Sequence, residues 1–215
     1  MDKPPRVQFR LGTVPLPHRP EWHHIKHTLS IQGIPCPFRG DLFRPILTPF
    51  WVTTSQQLIL VFGRRGMSQA LGIDCQTHEV TEILDAPTHP ISFVNSSIDL
   101  FTKAVSCMAE QYPFSDTESE YATSETAANR LKQQLLRIDP SCMQEDSLWG
   151  ELYWDVTQGD WAGDDSHLWQ VDWSLYEKTP PPWWLHPRFF FQPSLDAIRL
   201  TGKEAQTLIG ELDGQ

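Results

Sequence analysis

The stretch QLILVFGRRGMSQALGIDCQTHEVTEIL, residues 57–84, decides the fold. It opens on a wholly apolar run, Leu58 to Phe62, which suits a strand buried on both faces. Gln69 to Asp74 then alternates Ala70 and Gly72 with Leu71 and Ile73, and Glu79 to Leu84 sets Val80 among polar neighbours before Ile83 and Leu84. The links between these patterns are short and polar, Gly63-Arg64-Arg65-Gly66 and Cys75-Gln76-Thr77-His78. Short polar links between strand patterns predict antiparallel hairpins, with the glycines of the first link supplying a turn. Ile91 to Val94 reads as a further short strand. Upstream, Leu42 to Val52 carries Pro45 and Pro49, which predicts an edge or irregular strand.

Beyond residue 94 the period changes. Asn95-Ser96-Ser97 is an N-cap signal, and Ile98, Phe101, Val105, Met108 and Tyr112 follow at helical spacing. Residues 113–124 read as a polar, acidic loop. Glu125 to Ile138 predicts a second helix with Leu131, Leu135 and Ile138 on one face. A third starts at Asp146-Ser147, runs through Leu148, Leu152 and Val156, and stops at Gly159. Thr201 to Leu212 reads as a capped terminal helix, and Glu21 to Ser30 as a short one. Strands followed by helices predict an α+β fold, with an antiparallel sheet of about four to six strands packed by helices. Residues 1–20, with five prolines, read as an extended arm, residues 21–215 as a single domain, and residues 160–200 within it as an irregular Trp- and Pro-rich extension before the helix at 201–213.

Composition narrows the function. The 215 residues carry a formal net charge of −10, which argues against a nucleic-acid binder with its basic footprint. No apolar run approaches the roughly 18 residues of a membrane span. Residues 1–20 hold no apolar signal-peptide core, and the four cysteines form no Cys-x-x-Cys pair, so a reducing cytoplasm is expected. Charge is unevenly spread. Residues 1–65 hold nine Lys/Arg against three Asp/Glu, whereas residues 66–215 hold eight against twenty-four. Between Arg137 and Lys178 there are ten acids, five tryptophans and no Lys or Arg. Such a segment projects a negative field that attracts a basic partner.

Candidate chemistry is sparse. His23, His24 and His27 are the densest ligand cluster, but the Glu that a zincin motif needs after the first His is absent, and a solvated helix face is the simpler reading. A Gly-x-x-Gly loop such as Gly63–Gly66 clamps nucleic acid only when helices flank it, and here strands do. There is no Gly-x-Ser-x-Gly elbow and no P-loop. Asp164 and Asp165, with Trp161 and Trp169 as sugar platforms, make a carbohydrate-active or carbohydrate-binding protein the competing reading. Trp149, Trp154, Trp183 and Trp184 are expected in the core. Trp161, in the Gly- and acid-rich stretch 159–165, is the interface-anchor candidate. The partner-binding residues expected from these patterns are Asp155, Asp160, Trp161, Asp164 and Asp165; no catalytic residue, metal or cofactor is expected.

Two stretches resemble the SUKH superfamily and, within it, the SUKH-4 immunity proteins. Leu60-Val61-Phe62-Gly63 followed by Leu71 to Val80 resembles that family's strand, Asp-x-x-Thr turn and return strand, with His78 where Gly is usual. Phe93 to Phe101 resembles its strand-to-helix junction, and a later helix with Trp149 and Gly159 its closing element. The resemblance spans roughly residues 30–160. It implies a bacterial, cytoplasmic, non-enzymatic protein that binds a cognate toxin, often a nuclease or a nucleic-acid deaminase.

Overall fold

The computed structural model describes residues 4–36, 42–54, 57–65, 69–84, 91–114, 121–144, 147–161 and 198–214. Two short strands near the N-terminus, β1 (Arg6–Val7) and β2 (Ile34–Pro35), pair antiparallel around a helix α1 (Pro20–His27) that ends in a π-helical turn, Thr28–Gln32. The sheet strands follow: β3 (Arg44–Thr53), β4 (Leu58–Arg65), β5 (Gln69–Asp74), β6 (Val80–Ile83) and β7 (Ile91–Asn95). Helices α2 (Ile98–Gln111), α3 (Tyr121–Ile138) and α4 (Leu148–Gln158) come next, then β8 (Ile198–Arg199) and α5 (Gly202–Asp213). The six-stranded sheet has the order β7-β6-β5-β4-β3-β8, with every pair antiparallel. The α+β architecture with a sheet of up to six strands is therefore as the sequence predicts.

β4 lies inside the sheet and its apolar run explains why. Leu58, Leu60 and Phe62 join Trp51, Leu71, Ile73 and Val80 in the main core, while Ile59 and Val61 join Phe50, Val52, Ala70 and Ile83 in a second cluster. Period-two alternation sends the two sets to opposite faces, so both faces of the strand are apolar. Gly72 is required by closeness: a Cβ there would sit 2.3 Å from Ile59 Cγ2. The proline-broken strand is a β-bulge in practice, since the register of β3 against β4 jumps between Pro45 and Phe50. β8 covers only Val52 and Thr53 of β3.

One link differs from expectation. Gly63, Arg64 and Arg65 do not form a hairpin turn; all three continue β4, with Gly63 opposite Pro45 and Leu71 and Arg65 opposite Gln69. The strand keeps pairing through them because β3 and β5 both extend past Phe62. The second link turns as the Asp-x-x-Thr pattern implies. Asp74 Oδ1 accepts hydrogen bonds from the Gln76 and Thr77 amides at 2.7 and 2.8 Å. His78 then adopts φ of 62°, the left-handed conformation that Gly takes without strain. Its ring lies edge-on to Trp22 at 6.0 Å, while the backbone conformation costs about 1–2 kcal/mol.

The Asn95-Ser96-Ser97 signal resolves into two jobs. Ser97 alone caps α2, its side chain accepting from the Leu100 amide. Asn95 and Ser96 instead serve Asp139, at the end of α3, which is 1% exposed. Asp139 accepts from Asn95 Nδ2 at 3.0 Å, the Ser96 amide at 2.7 Å, Ser96 Oγ at 3.0 Å and the Ser141 amide at 3.2 Å. Burial raises its carboxyl pKa, but these hydrogen bonds outweigh it and hold the group below the usual carboxylate range. Asn95 Oδ1 in turn accepts from Trp149 Nε1 at 2.9 Å, tying α4 to the sheet. α3 begins at Tyr121, a full turn before the expected Glu125.

The N-terminal arm packs on the body. Val7, Phe9 and Leu11 are buried, and Phe9 sits edge-on to Phe62 at 6.0 Å. Rings continue from Phe62 to Phe101 at 5.8 Å and from Phe101 to Trp149 at 6.2 Å. Helix α5 carries a capping box between Thr201 and Glu204, and its Asp213 pairs with Arg19 at 3.2 Å. All four cysteines are free thiols and buried. Burial, reinforced by Asp74 and by Asp139, pushes the Cys75 and Cys142 thiols up to about 12.

Candidate partner-binding face

Helix α4 sets the geometry of this face. Ser147 caps it by accepting from the Gly150 amide at 3.1 Å. Leu148, Trp149, Leu152 and Val156 point inward, with Trp149 fully buried. The opposite side carries Trp154, with Glu151 and Asp155 on the flank toward Arg65. Trp154 is 62% exposed, not in the core as its composition neighbours suggest. The physical reason is helical phase: two residues past Leu152 a side chain has rotated by about 200° and faces out.

The helix ends in a Schellman motif. Gly159 takes φ of 97°, its amide donates to the Val156 carbonyl at 3.1 Å, and the Asp160 amide donates to the Asp155 carbonyl at 3.1 Å. This turn brings the two expected partner residues Asp155 and Asp160 to one end of α4. Burial raises the pKa of the Asp155 carboxyl, and the charges of Asp160 and Glu151 add to it against Arg65. Trp161, the expected anchor, adopts φ of 68° and is half-buried against the main core, where its carbonyl accepts from the Phe114 amide at 3.3 Å. Asp164 and Asp165, and with them Trp169, Trp173, Trp183 and Trp184, lie outside the described residues.

An ion-pair relay that the sequence reading missed supports the face from below. Arg65, at the end of β4, places Nη1 3.4 Å from both carboxylate oxygens of Glu82, and its Nη2 donates to Glu151 on α4. Burial lowers the pKa of the Arg65 guanidinium, but Glu82 and Glu151 together raise it above its ordinary value. Glu82 is 1% exposed, and burial lifts its carboxyl to about 7 against the pull of Arg65. Nothing local in the sequence marks this relay, since its three members come from separate elements. Trp154 did leave a signal in the Leu148–Leu152–Val156 spacing.

The other candidates stand apart from this face. His23, His24 and His27 are exposed on α1; His24 Nε2 contacts the Asp99 carboxylate, and Thr28 Oγ1 donates to the same group at 3.1 Å. Among the described residues no three His, Cys, Asp or Glu side chains converge as a metal site, and no helix is long and apolar enough to cross a membrane.

No curated protein and no solved structure matches the chain. The family model described as SUKH-4 immunity protein matches residues 52–155, a stretch that runs from β3 to Asp155 on α4 and contains the Asp74–His78 turn, the Ser97 cap and Trp154. Over that stretch, just under half of the chain, the sequence is similar to the SUKH-4 immunity protein family.

Proposed function

We propose that this protein neutralises a cognate toxin by laying the α4 face over the toxin's active site or a neighbouring exosite. The observation that carries the reading is Trp154, a large aromatic side chain left 62% exposed inside the family-matched stretch, with Glu151 and Asp155 on the same helix and Asp160 just past its end. Aromatic anchors supply most of the affinity of a protein interface, and flanking charges set its rate and partner choice. Carboxylates on the anchor's own helix and at its end suit a toxin with a basic cleft, as in a nuclease or a nucleic-acid deaminase. Trp161, Asp164 and Asp165 extend the face in this reading. The protein transforms nothing; it works by occupation, in the cytoplasm of the producing cell.

The test uses the full chain and the toxin encoded beside it. Trp154→Ala is expected to weaken the complex about tenfold to thirtyfold, mostly through faster dissociation. Asp155→Lys with Asp160→Lys is expected to slow association about tenfold and to flatten its salt dependence. Surface plasmon resonance at two salt concentrations reads both. Unchanged kinetics in both variants would remove α4 from the interface, and no complex at all would remove the reading.

A further inference from the structure

The described part of this acidic protein includes a concave surface of the opposite sign. The arm at β1, helix α2 and helix α3 enclose an open groove of about 650 Å³. Arg6, Lys103 and Arg137 bring three positive charges to its lining, against one negative charge from Glu110. Each cation comes from a different element, so the arrangement depends on the tertiary fold and not on a local basic run.

The groove is built as well as charged. Arg6 is exposed, yet its guanidinium is held in place: Nε donates to the Gln32 carbonyl at 3.0 Å and Nη2 to the Gly33 carbonyl at 2.8 Å. A guanidinium has five N–H donors, so donors remain on a group already fixed in direction. Lys103 and Arg137 are exposed and make no ion pair among the described residues. Gln134 is oriented through its carbonyl oxygen, which accepts from Cys107 Sγ at 3.1 Å and from Gln111 Nε2 at 3.4 Å. That arrangement leaves the amide N–H groups of Gln134 for another acceptor. Thr102 Oγ1, buried in the same wall, has no hydrogen-bond partner. Donors outnumber acceptors around this space, and its charge is positive.

We infer that this groove binds an acidic segment of a protein partner, through carboxylates that meet Arg6, Lys103 and Arg137. Three cations distributed along an open groove suit carboxylates spaced along a peptide. A single phosphate would need donors converging on one point. The net charge of −10 repels long polyanions such as nucleic acid, so a short acidic stretch is the fitting occupant. The inference is independent of the α4 face, which is negative and would take a basic surface.

The test is fluorescence anisotropy with a labelled octapeptide of alternating Glu and Gly, against the full chain in 20 mM and 200 mM salt. An octapeptide of alternating Lys and Gly is the control. The acidic peptide is expected to bind and the basic one not to, with an affinity that falls at least tenfold between the two salt concentrations. Lys103→Glu with Arg137→Glu, both at exposed helix positions, is expected to cost at least tenfold, while Trp154→Ala changes nothing. Binding that survives the double charge reversal, or fails at low salt, overturns the inference. Displacement of the peptide by equimolar inorganic phosphate overturns the peptide assignment. If the toxin complex fails while the peptide still binds, the groove stands and the α4 reading falls.

Discussion

Replacing Asp139 with Ala is expected to remove about 3–5 kcal/mol of unfolding free energy, measured by urea denaturation near pH 7. Four donors converge on this buried carboxylate, from Asn95, from the amide and hydroxyl of Ser96, and from Ser141. Taking the acceptor away leaves the Asn95 amide and its neighbours desolvated and unpaired, at about 1–3 kcal/mol for each group that finds no water. The damage spreads, because Asn95 also holds the indole of Trp149. Asp139→Asn is expected to cost less, about 2 kcal/mol, since one oxygen remains as an acceptor while the new amide opposes a donor. The acid limb gives a separate signature. The folded-state pKa of Asp139 is depressed, so its stabilisation is present above the ordinary carboxyl value and is lost as pH falls through the folded one. Asp139→Ala should therefore flatten the loss of stability below pH 4. A loss under 1 kcal/mol at neutral pH would show that the network is ornamental.

The second large effect has the opposite sign in pH. Glu82 is buried and its carboxyl is raised from 4.5 to about 7. A carboxyl raised on folding contributes its full stabilisation below its unfolded value, and that contribution is lost as pH rises through the folded one. Between pH 4.5 and pH 7 this amounts to about 3 kcal/mol. Glu82→Gln keeps the shape and removes the titration. Urea midpoints taken at half-unit steps from pH 5 to pH 8 should fall for the wild type and stay nearly level for the variant. Equal slopes in the two proteins would assign the pH dependence elsewhere. Arg65 keeps Glu151 as a partner in the variant, so loss of the relay is not confounded with a stranded guanidinium.

Much of this fold was legible from local pattern. The run Leu58–Phe62, the alternation at Gln69–Asp74, the Ser97 and Ser147 caps and the Gly159 stop each act over a few residues, and each reads true. What failed was non-local. Arg65 looked like part of a turn because its value lies in Glu82 and Glu151, 17 and 86 residues away. Asn95 and Ser96 looked like cap residues because the carboxylate they serve is more than 40 residues downstream. The pairing of β1 with β2 and of β8 with β3 rests on two residues each, too few to leave a period. At the candidate face the acids Asp155 and Asp160 are picked out by charge alone, and the end of α4 carries both. The exposed indole was misplaced because a count of tryptophans says nothing about which side of a helix each occupies.

The four concealed thiols make the molecule its own clock. Cys36, Cys75, Cys107 and Cys142 lie in the arm-side core, the sheet end, α2 and the α3–α4 link. An alkylating reagent reaches Cys36, Cys75 and Cys142 only when the chain opens, whereas Cys107 lies on the groove wall, and until then the reagent meets sulfur in the unreactive protonated form at Cys75 and Cys142. Mass spectrometry of timed alkylation would thus count openings region by region, with no label added and no residue changed.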